Sequence, residues 1–251
     1  MPQLTAFIQA RMGSTRFPGK ALLPLGNSTV LEQVIGRVRE AKLINEIILV
    51  TTSDNSDDAL AETAKKLGIK YFRGGGRDVL ESFYRAAQEF KVSHLGRVTG
   101  DCPLIDPEVI DLAAKKYLEG SWDYVGVNRP LGEETYPDGL DVEIFSFAAL
   151  ERARKEAKLS SEREHVTPYI WKNPDKFKIF SVKSPVDLSS YRLTLDHLED
   201  YEVIKKIYEN VKPLRLENII DFIKAHPEIK TMNADRARDE SYHKQVIIEG
   251  N

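Results

Sequence analysis

Leu4-Thr5-Ala6-Phe7-Ile8-Gln9-Ala10-Arg11-Met12-Gly13-Ser14-Thr15-Arg16-Phe17-Pro18-Gly19-Lys20 passes from a mostly apolar run into a loop of small, polar and cationic residues. The run predicts a strand covered on both faces, and a Gly/Ser/Thr-rich loop directly after a buried strand is where an open α/β sheet binds its ligands. The segments that follow keep the same alternation. Leu31, Val34, Ile35 and Val38 fall at helical spacing, predicting a helix from about Val30 to Ala41. Ile47 to Thr52 reads as a second strand. A helix from Ser56 or Asp57 to Leu67 stops at Gly68, and Ile69 to Phe72 is a short third strand. After Gly74-Gly75-Gly76, Asp78 to Phe90 reads as helix. His94 to Thr99 is a strand running into Gly100-Asp101-Cys102-Pro103, and Pro107 to Leu118 is helix with proline in its first turn. The expected fold class is α/β with a mostly parallel central sheet.

Beyond residue 120 the pattern loosens. Trp122 to Val127, Leu140 to Phe145, Phe177 to Val182 and Tyr191 to Leu195 read as strands, and Phe147 to Lys158 as a helix. Ser161 and Glu164 have capping-box spacing for another helix, which Pro168 would kink. Two helices close the chain, Glu199 to Asn210 and Leu216 to Ala225, and the last ~20 residues, rich in charge, are expected to pack poorly. No repeat or low-complexity linker divides the sequence. The expectation is one domain over 1–251, with residues 128–185 as an acceptor or dimerisation subdomain.

A chain of 251 residues with 41% apolar content can bury one sizeable core. Its 36 Lys+Arg against 39 Asp+Glu leave a net charge of -3, which excludes a uniform basic coat for nucleic acid. Cys102, the one cysteine, has no disulfide partner and points to a reducing compartment. No apolar run approaches the roughly 18 residues of a membrane span. The start, MPQLTAFIQAR, lacks the basic head and apolar stretch of a signal peptide, so a cytoplasmic location is expected.

The distribution of charge is more informative than its total. Met1 to Leu31 contain no acid, while Arg11, Arg16 and Lys20 supply three positive charges. Cations at that density in a glycine-bearing loop suit a polyanion such as a triphosphate, although a solvated basic turn has the same composition. The loop is not a Walker A motif, since Ala21 follows Lys20, and it lacks the G-x-G-x-x-G of dinucleotide sites. Asp101, at the tip of a central strand, reads as a ligand for Mg²⁺ or as a turn acid. Asp196 could complete such a site, yet Asp196 and Glu199 also have the spacing of a helix cap and its reciprocal acid. Asp106 before Pro107 reads as an N-cap. Gly74-Gly75-Gly76 reads as a base pocket or a flexible turn, and Asp138, Asp141 and Glu143 read as acceptor contacts; Asp141 and Glu143 share one strand face, so for these two a solvated acidic face reads equally well.

These motifs together resemble the cytidylyltransferase family of CMP-KDO and acylneuraminate synthetases. The loop Ala10 to Lys20 is similar to that family's nucleotide-binding loop, Gly100-Asp101-Cys102-Pro103 to its metal-binding Gly-Asp-x-Pro, and Leu195 to Asp200 to its later acidic element. Arg77-Asp78-Val79-Leu80, Tyr136-Pro137-Asp138-Gly139-Leu140-Asp141-Val142-Glu143 and Glu162 to Tyr169 resemble its SpsF-type, spore-coat polysaccharide branch. The resemblance implies a nucleotide-diphospho-sugar transferase fold, Rossmann-like and GT-A related. It implies CTP bound through Arg11, Gly13, Ser14, Arg16, Lys20 and Gly75, with Mg²⁺ on Asp101 and Asp196. Lys20 would stabilise charge at the α-phosphate and Arg16 would hold the departing phosphates. Asp138, Asp141, Glu143 and His165 would face a sugar-type acceptor, pyrophosphate would leave, and a homodimer using the apolar faces of Val166 to Trp171 is possible. A glycosyltransferase that uses an activated nucleotide sugar and a non-catalytic nucleotide-binding module are the competing readings.

Overall fold

The computed structural model of the chain describes residues 2–250. In chain order its strands and α-helices are β1 (Leu4–Gln9), β2 (Pro24–Leu25), β3 (Ser28–Thr29), α1 (Val30–Glu40), β4 (Glu46–Thr52), α2 (Asp58–Lys66), β5 (Lys70–Gly74), α3 (Val79–Glu89), β6 (His94–Thr99), α4 (Pro107–Glu119), β7 (Tyr124–Val127), β8 (Glu143–Ser146), α5 (Phe147–Glu156), α6 (Ser160–His165), α7 (Pro168–Trp171), β9 (Ile179–Val182), α8 (Leu198–Asn210), α9 (Leu216–Ala225), α10 (Pro227–Thr231) and α11 (Glu240–Glu249). Seven strands form one sheet in the order β5-β4-β1-β6-β8-β7-β9, and β2 pairs with β3 in a separate antiparallel ribbon. The first four strands of that order are parallel; β8 runs antiparallel to both of its neighbours, and β7 and β9 are parallel.

Helices cover both faces of the sheet, which is why β1 is apolar at both parities. Leu4, Ala6 and Ile8 enter a core shared with Val34 of α1, Ile110 of α4 and Ile204 of α8. Phe7 points the other way, onto Phe83 of α3 at 5.4 Å between ring centroids. No helix among the described residues is long and apolar enough to cross a membrane.

The second half departs from expectation in several places. Residues 128–185 share the main sheet, through β8 and β9. Tyr191 to Leu195 is extended but makes only the isolated bridge Asp138–Arg192. Pro168 does not kink a helix: α6 ends at Val166, whose φ is 72°, and Pro168 occupies the first turn of α7. Ser161 and Glu164 do not form the capping box. Glu162 accepts the N–H groups of Lys158 (3.1 Å) and Leu159 (3.2 Å), and Ser161 donates its N–H and O–H to Glu249. That last contact also corrects the expectation of a poorly packed tail, since α11 lies against α6 and buries Tyr242. Val166 to Trp171 is buried in the chain's own core, so these residues offer no free face for a second copy.

Candidate active site

β1 and β6 are adjacent and parallel, with Gln9 opposite Thr99, so the loops that leave their carboxyl ends start side by side. The Gly100 N–H donates to the Gln9 carbonyl at 2.8 Å, and a Cβ on Gly100 would stand 2.8 Å from that of Ala10. Only glycine lets the two loops approach this closely. The first loop is tied down at both ends. Met12 N–H donates to Asp57 at 2.7 Å, and Gly19, with φ 76°, donates to the Met12 carbonyl at 3.0 Å. The left-handed turn at Gly19 closes the loop and delivers Lys20 to its inner side.

Lys20 is 9% exposed and has spent all three of its ammonium hydrogens. Its Nζ donates to Asp101 Oδ2 at 2.7 Å, to the Leu195 carbonyl at 2.7 Å and to Asp196 Oδ1 at 2.8 Å. Burial alone would lower the lysine pKa, but the charges of Asp101 and Asp196 outweigh it and the net shift is upward. Burial opposes ionisation of Asp196, and Lys20 and Arg16 overcome it, holding that carboxyl below its usual range. Arg16 Nη2 also donates to Asp196 Oδ1, and Arg11 pairs with Glu164 at 3.0 Å.

Asp196 is available for these contacts because it does not cap a helix. α8 begins after His197, and Asp200 accepts the N–H groups of Asp196 (2.9 Å) and His197 (3.0 Å). The reciprocal acid is therefore Asp200 and not Glu199. Asp106 does cap α4, accepting the Glu108 N–H at 2.9 Å.

Two cavities meet at these charges. The first, of about 190 Å³, is lined by Arg11, Ser14, Arg16, Lys20, Gly75 and Asp101. Gly13 shapes the loop without lining it. The second, of about 150 Å³, shares Arg16, Asp101 and His165 with the first and adds Asp138, Asp141 and Asp196. Glu143 is not among them. It is 2% exposed, and its oxygens accept from Arg97, Tyr124 Oη (2.6 Å) and Thr167, so neither an acceptor contact nor a solvated acidic face describes it. Reading by local spacing also missed Arg129, Arg192, Asp200, Asp239 and Tyr242. Arg129 and Asp239 meet across 110 residues and Arg192 reaches Asp138 across 54, whereas Asp200 has its cap partners Asp196 and His197 close by and was passed over for Glu199.

His165, on the wall of both cavities, has its Nε2 buried without a partner. Burial, and then the charge of Arg97, lowers its pKa to about 4. Between pH 6.5 and 4 the unfolded chain therefore binds a proton that the folded chain refuses. The stability due to neutral His165, at most about 3 kcal/mol, is lost as pH falls through that window. Thermal melts at pH 7 and 4.5 should show a smaller acid loss in His165→Gln than in the native chain; equal losses would contradict this assignment.

Comparison with known proteins gives a consistent result. A family model described as cytidylyltransferase matches residues 5–243. An uncharacterized protein of Methanocaldococcus jannaschii is 37% identical over 244 residues, covering 96% of this chain and 98% of that one. The spore coat polysaccharide biosynthesis protein SpsF of Bacillus subtilis is 33% identical, covering 92% and 98%. Among solved structures, a cytidylyltransferase from Leptospira borgpetersenii superposes with a TM-score of 0.87 at 35% identity, over 94% of this chain and 99% of that one.

Proposed function

Because the chain belongs to the cytidylyltransferase family, we propose that it transfers a cytidylyl group from CTP to a hydroxyl of a sugar or related small acceptor, in the building of a polysaccharide or other surface glycan. The observation that carries this reading is Lys20, a buried ammonium at the end of a cationic loop on the wall of the first cavity, held between Asp101, which lines both cavities, and Asp196, which lines the second. In the first cavity, Arg11, Arg16 and Lys20 would take the triphosphate, with Ser14 and Gly75 on its wall.

To reach a phosphate, Lys20 must give up at least one of its three acceptors, and Arg16 must release Asp196. The carboxylates so freed are hard oxygen donors. They already share one positive charge at 2.7 and 2.8 Å, so a single cation position serves both. That donor set fits Mg²⁺, which Asp101 and Asp196 would hold. No group of three or more His, Cys, Asp or Glu among the described residues is arranged to hold a metal, so the remaining positions would fall to phosphate and water, as is common for this ion. When bound, Mg²⁺ supplies neutralisation of phosphate charge.

The acceptor oxygen forms its bond to the α-phosphorus as the bond to the β-phosphate oxygen breaks, and pyrophosphate leaves with that electron pair. Lys20 meets the charge developing at the α-phosphate, and Arg11 and Arg16 retain the departing phosphates. The hydroxyl proton passes to Asp138. Burial and then the neighbouring Asp141 push this carboxyl up to about 7, close to the pH at which a base must work.

The test is pyrophosphate release from CTP, ATP, GTP and UTP with Mg²⁺ and a panel of sugars and polyols. CTP should be preferred, and pyrophosphate should appear only when an acceptor is present. Consumption of a nucleotide sugar with no pyrophosphate would instead indicate a glycosyltransferase.

A further inference from the structure

Among the described residues, two cations line both cavities, Arg16 and Arg97. Arg16 comes from the loop after β1, whereas Arg97 stands on β6, the middle strand of the sheet, two residues before that strand ends. Its neighbours explain how an arginine is held there. In the antiparallel pair β6–β8, Arg97 lies opposite Glu143, so the two side chains share one face and Arg97 Nη1 donates to Glu143 Oε2. Glu143 is itself fixed by Tyr124 Oη at 2.6 Å and by Thr167. Burial would push this carboxyl up, but Arg97 and then Arg129 outweigh it and hold it below its ordinary range. From β1, Gln9 Oε1 accepts from Arg97 Nη2 at 3.1 Å and from Nε at 3.3 Å.

A guanidinium carries five N–H bonds. Glu143 and Gln9 take three of those on Arg97, which leaves one on each terminal nitrogen unspent. Lys20 differs, since it must break a contact before it can meet a phosphate. Arg97 can take an anion with both of its anchors intact. Its place selects which anion. A nucleotide in the first cavity and an acceptor in the second react only if the α-phosphorus lies where the cavities join, bonded to the ribose oxygen on one side and open to the attacking hydroxyl on the other. Side chains on both walls are the ones within reach of that atom.

We propose that Arg97 is a further catalytic residue, which donates its two remaining N–H groups to the non-bridging oxygens of the α-phosphate, with Glu143 and Gln9 as its positioning residues. This deepens the proposed function and rests on it. A planar fork fixed before the reaction meets the charge on those oxygens as the acceptor oxygen closes on phosphorus, with no reorganisation at that moment. It also gives Glu143, which lines neither cavity, a part in the site.

Calorimetric titration with cytidine, CMP and CTP in the presence of Mg²⁺ locates the contact along the nucleotide without turnover. Arg97→Lys keeps a charge beside Glu143 and removes the fork. Arg97→Gln combined with Glu143→Gln removes both charges, so that no buried carboxylate is stranded, and either variant decides the question. The gain in affinity from cytidine to CMP should shrink ten-fold or more relative to the native chain, while the gain from CMP to CTP stays within three-fold. The kcat for pyrophosphate release, at saturating CTP and with the sugar or polyol that turns over fastest, should fall ten-fold or more. A smaller change at the first step, a larger one at the second, or a smaller fall in kcat would overturn the inference, because Arg97 would then serve only to neutralise Glu143 or to hold another part of the nucleotide. A native chain that binds no CTP, or releases no pyrophosphate with any sugar or polyol, removes the proposed function and the inference together. Native turnover with an unchanged cytidine-to-CMP step in the variants removes the inference alone.

Discussion

Lys20→Met should reduce pyrophosphate release from CTP by roughly 10²–10³-fold or more while the protein stays folded. The size of the loss follows from where the charge sits. A fixed, partly desolvated donor aimed at charge that develops during reaction is worth on the order of 3–4 kcal/mol of barrier, and Lys20 is buried in the wall of the first cavity. The fold should survive because Asp196 keeps Arg16 and Arg192, and the Asp101 side chain is 25% exposed and solvated without help. The same substitution has an opposite effect that activity does not report. In the nucleotide-free protein the ammonium occupies the position between Asp101 and Asp196, so its removal should raise the affinity for Mn²⁺, measured by electron paramagnetic resonance without nucleotide. Loss of turnover below ten-fold would remove Lys20 from the α-phosphate. Unchanged Mn²⁺ affinity would show that the lysine does not compete for the two carboxylates.

The sequence disclosed the nucleotide half of this site more fully than the acceptor half, for a physical reason. Parallel strands covered on both faces appear as largely apolar runs, so β1 and β4 could be read from local pattern, and β6, which carries His94 and Arg97, from its Leu95 and Val98 and the Gly100-Asp101-Cys102-Pro103 turn that ends it. Lys20 and Asp101 stand at the ends of two such strands, and adjacency of the strands brings them together. At the other end, what matters is pairing across long separations. Glu143 and Asp141 were expected to share a strand face, but β8 starts at Glu143 and turns that side chain onto Arg97, 46 residues away. Asp239 reaches Arg129 across 110 residues, and Tyr242 comes from a tail whose charge suggested solvent. Composition marks such residues as polar; only the fold gives them partners.

Asp200→Asn is expected to be the most damaging single change to stability near the site, and it discriminates between the two acids that can cap α8. Asp200 is fully buried and accepts five hydrogen bonds: two from Arg192 (2.8 and 3.0 Å), one from Asn233 (2.9 Å), and the N–H groups of Asp196 and His197. Replacing one oxygen by NH₂ sets a donor against donors and leaves Arg192 with less than its charge. Losing one partner of a buried ion pair costs about 3–5 kcal/mol. Arg192 still has Asp138 and Asp196, which argues for the lower figure, or a drop of roughly 6–12 °C in Tm for a chain of this size. Glu199 offers the contrast. Its side chain is 44% exposed and pairs with Arg236, so Glu199→Gln should move stability by no more than about 0.5 kcal/mol. Activity should fall in the first variant even where it is still folded, because Arg192 would pull on Asp196 and the Asp196 backbone would lose its anchor. Thermal melts of the two variants, with turnover assayed well below both midpoints, decide the matter. Equal and small shifts would mean that Asp200 does not hold Asp196 toward Lys20, and the geometry of the second carboxylate would need another cause.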